Sequence, residues 1–109
     1  MSYEINGQTV EADKEGFLIE ADYSDEAMEV IAAAEGITLS DDHRKVVAYL
    51  RDEYREQGHT SNFRSLLKGL SDVLPGCDSK SLYDLFPVGP AKQGPKVAGL
   101  PQPLGKGGY

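Results

Sequence analysis

The sequence predicts a mainly α fold: a compact helical bundle with a small N-terminal β-hairpin and a C-terminal arm. Three observations carry that reading. Residues 41–57 place apolar side chains at three- and four-residue steps. Asn6-Gly7 interrupts a short alternation of apolar and polar residues, as a two-residue hairpin turn does. Residues 91–109, AKQGPKVAGLPQPLGKGGY, are dense in Gly and Pro.

In the hairpin, Tyr3, Ile5 and Val10 supply one apolar face, and Glu15-Gly16 marks a second turn before Phe17-Leu18-Ile19. Two strands alone are marginal in water, so the hairpin must lean on helices. Ser24 is placed to cap a first helix, DEAMEVIAAAE, whose leading acids suit the positive end of the helix dipole and which Gly36 stops. Ser40 caps the longest helix, terminated by Gly58, with Val46, Val47, Leu50 and Tyr54 on one stripe. His43 lies one turn before Val47 on that side, which predicts a partly buried, hydrogen-bonded histidine and no metal ligand. Thr60 or Ser61 opens a third helix with Phe63, Leu66, Leu67, Leu70 and Val73 on one face, ended by Pro75-Gly76. Ser79 caps a short fourth helix that stops at Pro87, with Leu82 and Phe86 directed to the core.

Pro90 can begin a further helix, but Pro95 follows five residues later, and proline in a helix interior costs on the order of 3 kcal/mol. A stop or kink before Pro95 is therefore expected, with an extended or disordered chain beyond it. The chain thus divides into residues 1–90, with the hairpin at about 3–19 and helices within about 25–87, and an arm of residues 91–109.

Composition narrows the function. The net charge of −7 is unevenly spread: residues 1–35 hold ten acids against Lys14 alone, whereas residues 91–109 carry Lys92, Lys96 and Lys106 and no acid. An acidic front argues against non-specific nucleic-acid binding, which scales with clustered Lys and Arg. No apolar run reaches membrane length and the N-terminus lacks a signal-peptide pattern, so a cytoplasmic location without membrane contact is expected. The single cysteine, Cys77, offers neither an internal disulfide nor a cysteine pair for zinc. No phosphate loop, metal cluster or nucleophile–base pair is visible, and no cofactor or metal is expected.

The run SLYDLFPVGPAKQ, followed by KVAGLPQPLG, resembles the C-terminal signature of the DsrC/TusE family of sulfur-relay proteins, and EGFL, LSDDHRKVVAYLRDEY and FRSLLKGLS resemble further segments of that family. The resemblance implies a helix-turn-helix-like core with a mobile C-terminal arm. It also implies chemistry on that arm, where sulfur-carrying members have a penultimate cysteine and dissimilatory members a second cysteine before AGLP. In this sequence those positions hold Pro95 and Lys106. Neither can hold sulfane sulfur, which requires a nucleophilic, polarisable thiolate.

The expectation is therefore a non-enzymatic binding or regulatory member of the family, docking on a sulfite reductase or sulfur-relay partner without carrying sulfur. Lys92, Gln93, Lys96, Leu100, Pro101 and Pro103 are the candidate partner contacts. Two alternatives stand beside it. One is a sulfur carrier, including relays that serve tRNA thiolation, which uses Cys77; Lys80 and the following helix N-terminus would lower that thiol's pKa and Asp78 would raise it. The other is a helix-turn-helix transcription regulator reading bases through Asn62, Arg64 and Lys68, a thin set for that task.

Overall fold

The computed structural model describes residues 1–103. Two strands and five helices follow in order: β1 (Ser2–Ile5), β2 (Gln8–Glu11), α1 (Asp25–Ala34), α2 (Asp41–Gln57), α3 (Phe63–Gly69), α4 (Ser79–Leu85) and α5 (Pro90–Val97). The strands pair antiparallel with Tyr3 opposite Val10, and Asn6 and Gly7 both take positive φ, as the hairpin turn between them demands. Tyr3 and Ile5 are buried against α1, and Phe17 and Leu18 close the base of the hairpin, where Leu18 pairs with Ala12.

Capping chemistry sets the helix starts. Ser24 accepts from the Ala27 amide, and Ser40 accepts from the His43 amide while His43 Nδ1 accepts from the Ser40 amide at 3.0 Å. Because that amide can only donate, Nδ1 carries the lone pair, and His43 Nε2 donates to the Leu85 carbonyl at 2.8 Å. His43 is thus a buried, fully hydrogen-bonded link from α2 to the end of α4, and its ring meets Phe86 edge-on. Gly58 ends α2 in the left-handed conformation. The later caps lie beside the positions that the sequence suggests: Asn62 caps α3 and Asp78 caps α4, since an Asn or Asp oxygen takes the amide three residues on at least as well as a hydroxyl does.

The largest departure from expectation is α5. It continues through Pro95 and packs against all four other helices. Gly94 explains much of this. A residue before proline is normally pushed out of the α region by a clash involving its Cβ, and glycine has none. The missing Cβ also lets α5 approach α2, because a methyl there would lie 3.0 Å from Leu50 Cδ1. Burial of Ala91, Val97, Ala98 and Leu100 then opposes the loss of one helical hydrogen bond. The segment expected to be a mobile arm is, through Pro103, part of the packed body.

The turn after α5 is held as closely. Gly99 has φ +79°, its carbonyl accepts from the Asp22 amide at 2.8 Å, and a Cβ at this position would collide with the Asp22 carbonyl oxygen. Gly99→Ala is expected to lower stability by about 2 kcal/mol or more, from positive-φ strain and the clash together. Urea unfolding measures this, and an unchanged midpoint would show that the turn is not so constrained.

Candidate functional site

The residues that the sequence singles out fall at four places: inside the core, at the base of the C-terminal tail, around Cys77, and on α3 with its N-cap, where Asn62, Arg64 and Lys68 lie. Gln93 and Lys96 belong to the core. Gln93 is 1% exposed; its amide nitrogen donates to Glu35 Oε1 at 3.0 Å and its oxygen accepts from the Val88 amide at 3.1 Å. Lys96, 8% exposed, pairs with the same Glu35 oxygen at 3.4 Å and lies over the Phe17 ring. Glu35 thereby ties the C-terminal end of α1 to two consecutive turns of α5. Leu100 is fully buried. Pro95 is buried within α5, and Lys106 lies outside the described residues. Asn62 spends its side chain on the α3 cap, so it is not presented to bases.

Lys92, Pro101 and Gln102 remain accessible, while Pro103 is buried. Lys92 forms an ion pair with Glu15 at 2.6 Å, and Gln102 donates to the other oxygen of that carboxylate. These two bonds, Lys92 first, hold the Glu15 carboxyl below its ordinary pKa. Pro101, Gln102 and Pro103 line a groove of about 90 Å³ with Tyr54, Gly58, His59 and Thr60, at the C-terminal end of α2.

Arg51 went unnoticed in the sequence. It is 8% exposed; Nε donates to the Ala98 carbonyl and Nη2 to the Ser24 carbonyl, both at 2.9 Å, with Asp25 at 3.9 Å. A signal was present, since Arg51 follows Leu50 and stands one turn beyond Val47, on the edge of the apolar stripe.

Cys77 is half-buried at the opposite end of α2. It shares a pocket with Asp42, Lys45, Leu74, Pro75, Gly76, Ser81, Asp84 and Leu85. From Asp42 to Tyr54 the helix axis runs about 18 Å at 1.5 Å per residue, so Cys77 does not open where the tail base sits. Burial pushes the thiol pKa up, and the carboxylates of Asp78 and Asp42 push it further. The lowering expected from Lys80 and the α4 N-terminus is outweighed, first by burial and then by Asp78, which caps that N-terminus. Among the described residues, no group of His, Cys, Asp and Glu is arranged to hold a metal ion, and no helix is long and apolar enough to cross a membrane.

Comparison with known proteins places this geometry. The family described as DsrC like protein matches residues 4–105. The chain is 43% identical over 103 residues to the "Sulfurtransferase TusE homolog" of Haemophilus influenzae, covering 91% of this chain and 94% of that protein. It is also 43% identical over 103 residues to "Sulfurtransferase TusE" of Escherichia coli K12, covering 92% and 94%. Among solved structures, the oxidized gamma-subunit of dissimilatory sulfite reductase (DsrC) from Archaeoglobus fulgidus superposes with a TM-score of 0.89 at 33% identity, over 97% of this chain and 99% of that one. DsrC of Allochromatium vinosum gives a TM-score of 0.86 at 34% identity, over 97% and 99%. These names correct one expectation. The absence of the arm cysteines led to a non-enzyme, yet relatives along nine-tenths of the chain are named sulfurtransferases. In sequence along nearly its whole length, and in fold, the chain belongs to the DsrC/TusE family of sulfur-relay proteins.

Proposed function

We propose that the protein takes part in sulfur transfer between cytoplasmic proteins, as a relay component that meets its partner at the tail base and accepts sulfur on Cys77. The observation that carries the reading is the 43% identity to proteins named sulfurtransferases in a chain with a single thiol. In the step itself, the Cys77 thiolate attacks the outer sulfur of a partner's persulfide. The S–S bond breaks, the partner leaves as a thiolate, and Cys77 holds the transferred sulfur as a persulfide, with no net oxidation. Lys45 lines the same pocket as Cys77.

The raised thiol pKa gives this step a definite pH dependence. A group whose deprotonated form is disfavoured has little thiolate at neutral pH, so acceptance rises with pH and continues to rise beyond about 8.5, the ordinary thiol value. Incubation with a persulfide donor protein, followed by intact mass, is expected to show a gain of one sulfur atom that is absent in Cys77→Ser and faster at pH 9 than at pH 7. No gain at either pH would contradict Cys77 as the acceptor.

The partner contact narrows to the accessible part of the expected set, Lys92 and Pro101 with the adjoining Gln102. Deletion from residue 95 onward would strip Val97, Ala98 and Leu100 from the core, so docking is tested by point substitution. Pro101→Asp is expected to weaken binding to the relay partner at least tenfold in a titration, with an unchanged melting temperature. Equal affinity would remove the tail base from the interface.

A further inference from the structure

Arg51 spends a buried charge on an unusual pair of acceptors. Its guanidinium bonds the Ala98 carbonyl, at the C-terminal cap of α5, and the Ser24 carbonyl, at the N-terminal cap of α1, both at 2.9 Å. Its nearest carboxylate, Asp25, stands at 3.9 Å on a largely exposed side chain, so the ion pair is loose. Burial lowers the guanidinium pKa, the mark of a charge kept away from water. Stability alone does not call for such a charge, since apolar side chains of similar volume often serve a buried site equally well. What a planar fork does that an apolar side chain cannot is fix two carbonyls relative to each other.

The position of those carbonyls gives the fork its meaning. Ala98 immediately precedes Gly99, whose carbonyl accepts from the Asp22 amide two residues before Ser24. Arg51, reaching across from α2 to Ser24 as well as Ala98, and Asp22 thus hold the same two-residue turn against the segment that leads into α1. Leu100, Pro101 and Pro103 follow at once, with Leu100 fully buried and Pro103 seated beside Tyr54, one turn along α2 from Arg51.

We propose that Arg51 is a positioning residue for partner docking: it sets the path that the chain takes along the body after Ala98, and so where the tail base is presented. This rests on the reading that the tail base meets a relay partner, but its test needs no partner, so either can fail alone. Spin labels are placed through Gln102→Cys and Lys80→Cys in a Cys77→Ser background, and the distance distribution is compared across Arg51 variants by pulsed dipolar spectroscopy. Arg51→Met is expected to widen the distribution at least twofold. Arg51→Lys, which keeps the charge but offers a single ammonium in place of the fork, is expected to widen it as well. Val46→Ala, a core truncation away from the turn, serves as the stability control and is expected to leave the width unchanged at the same margin below its own melting temperature. If Arg51→Met does not fold, Arg51→Lys against Val46→Ala decides. A width in the folded Arg51 variants equal to that of the control would overturn the proposal.

Discussion

At Gly99 the backbone passes so close to the Asp22 carbonyl that a Cβ would collide with it, and this approach governs how the C-terminal third of the chain is built. For the turn to sit there, α5 must lie deep enough to touch the other four helices, which Gly94 permits by leaving room for Leu50. For α5 to lie that deep, its polar side chains need internal partners, and Glu35 supplies one for both Gln93 and Lys96. The carbonyl before the turn needs a donor away from water, and Arg51 provides it. Each element follows from the last through steric room or hydrogen-bond satisfaction.

Much of the fold was legible because short-range chemistry writes it. Ser24 and Ser40, Asn6-Gly7 and Gly58 each act through bonds or φ values a few residues away, so the hairpin and the first two helices stand where the sequence places them. His43 was legible from its place one turn before Val47 on the apolar side of α2, although only one of its partners, the Ser40 cap, is local and the other, the Leu85 carbonyl, is far along the chain. The C-terminal segment was not. Gly and Pro read locally as an extended or disordered arm, whereas here they serve long-range packing: Gly94 and Gly99 for close approach, Pro95 as buried surface. Lys92, Gln93 and Lys96 looked like a basic contact set, but their partners, Glu15 and Glu35, lie more than fifty residues away in sequence. No local pattern exposes such pairs.

The proposed relay divides chemistry from presentation. Presentation resides in a rigid base formed by α5, the Gly99 turn and the groove beside Tyr54, and its motif is the part of the sequence most like the family signature. In that proposal chemistry falls to Cys77 at the other end of α2, whose thiol pKa is raised by burial and by two nearby carboxylates. A relay component has at least two encounters, one to receive sulfur and one to pass it on. In the proposed relay both encounters reach the sulfur at Cys77 while the tail base holds the partner, and a thiol whose pKa is raised by burial is less open to incidental oxidation.

The account stands on the C-terminal segment being core through Pro103 and not a free arm. Amide hydrogen exchange followed by NMR tests this most directly, at the amide of Leu100, which donates to the Pro95 carbonyl, and that of Asp22, which donates to Gly99. The account predicts that both exchange only through opening of the body, with protection comparable to Val47 and Leu50 in the middle of α2. Exchange at both amides near the rate of an unstructured peptide, with α2 still protected, would mean that the segment is a loosely attached arm, and the fixed tail base would be lost.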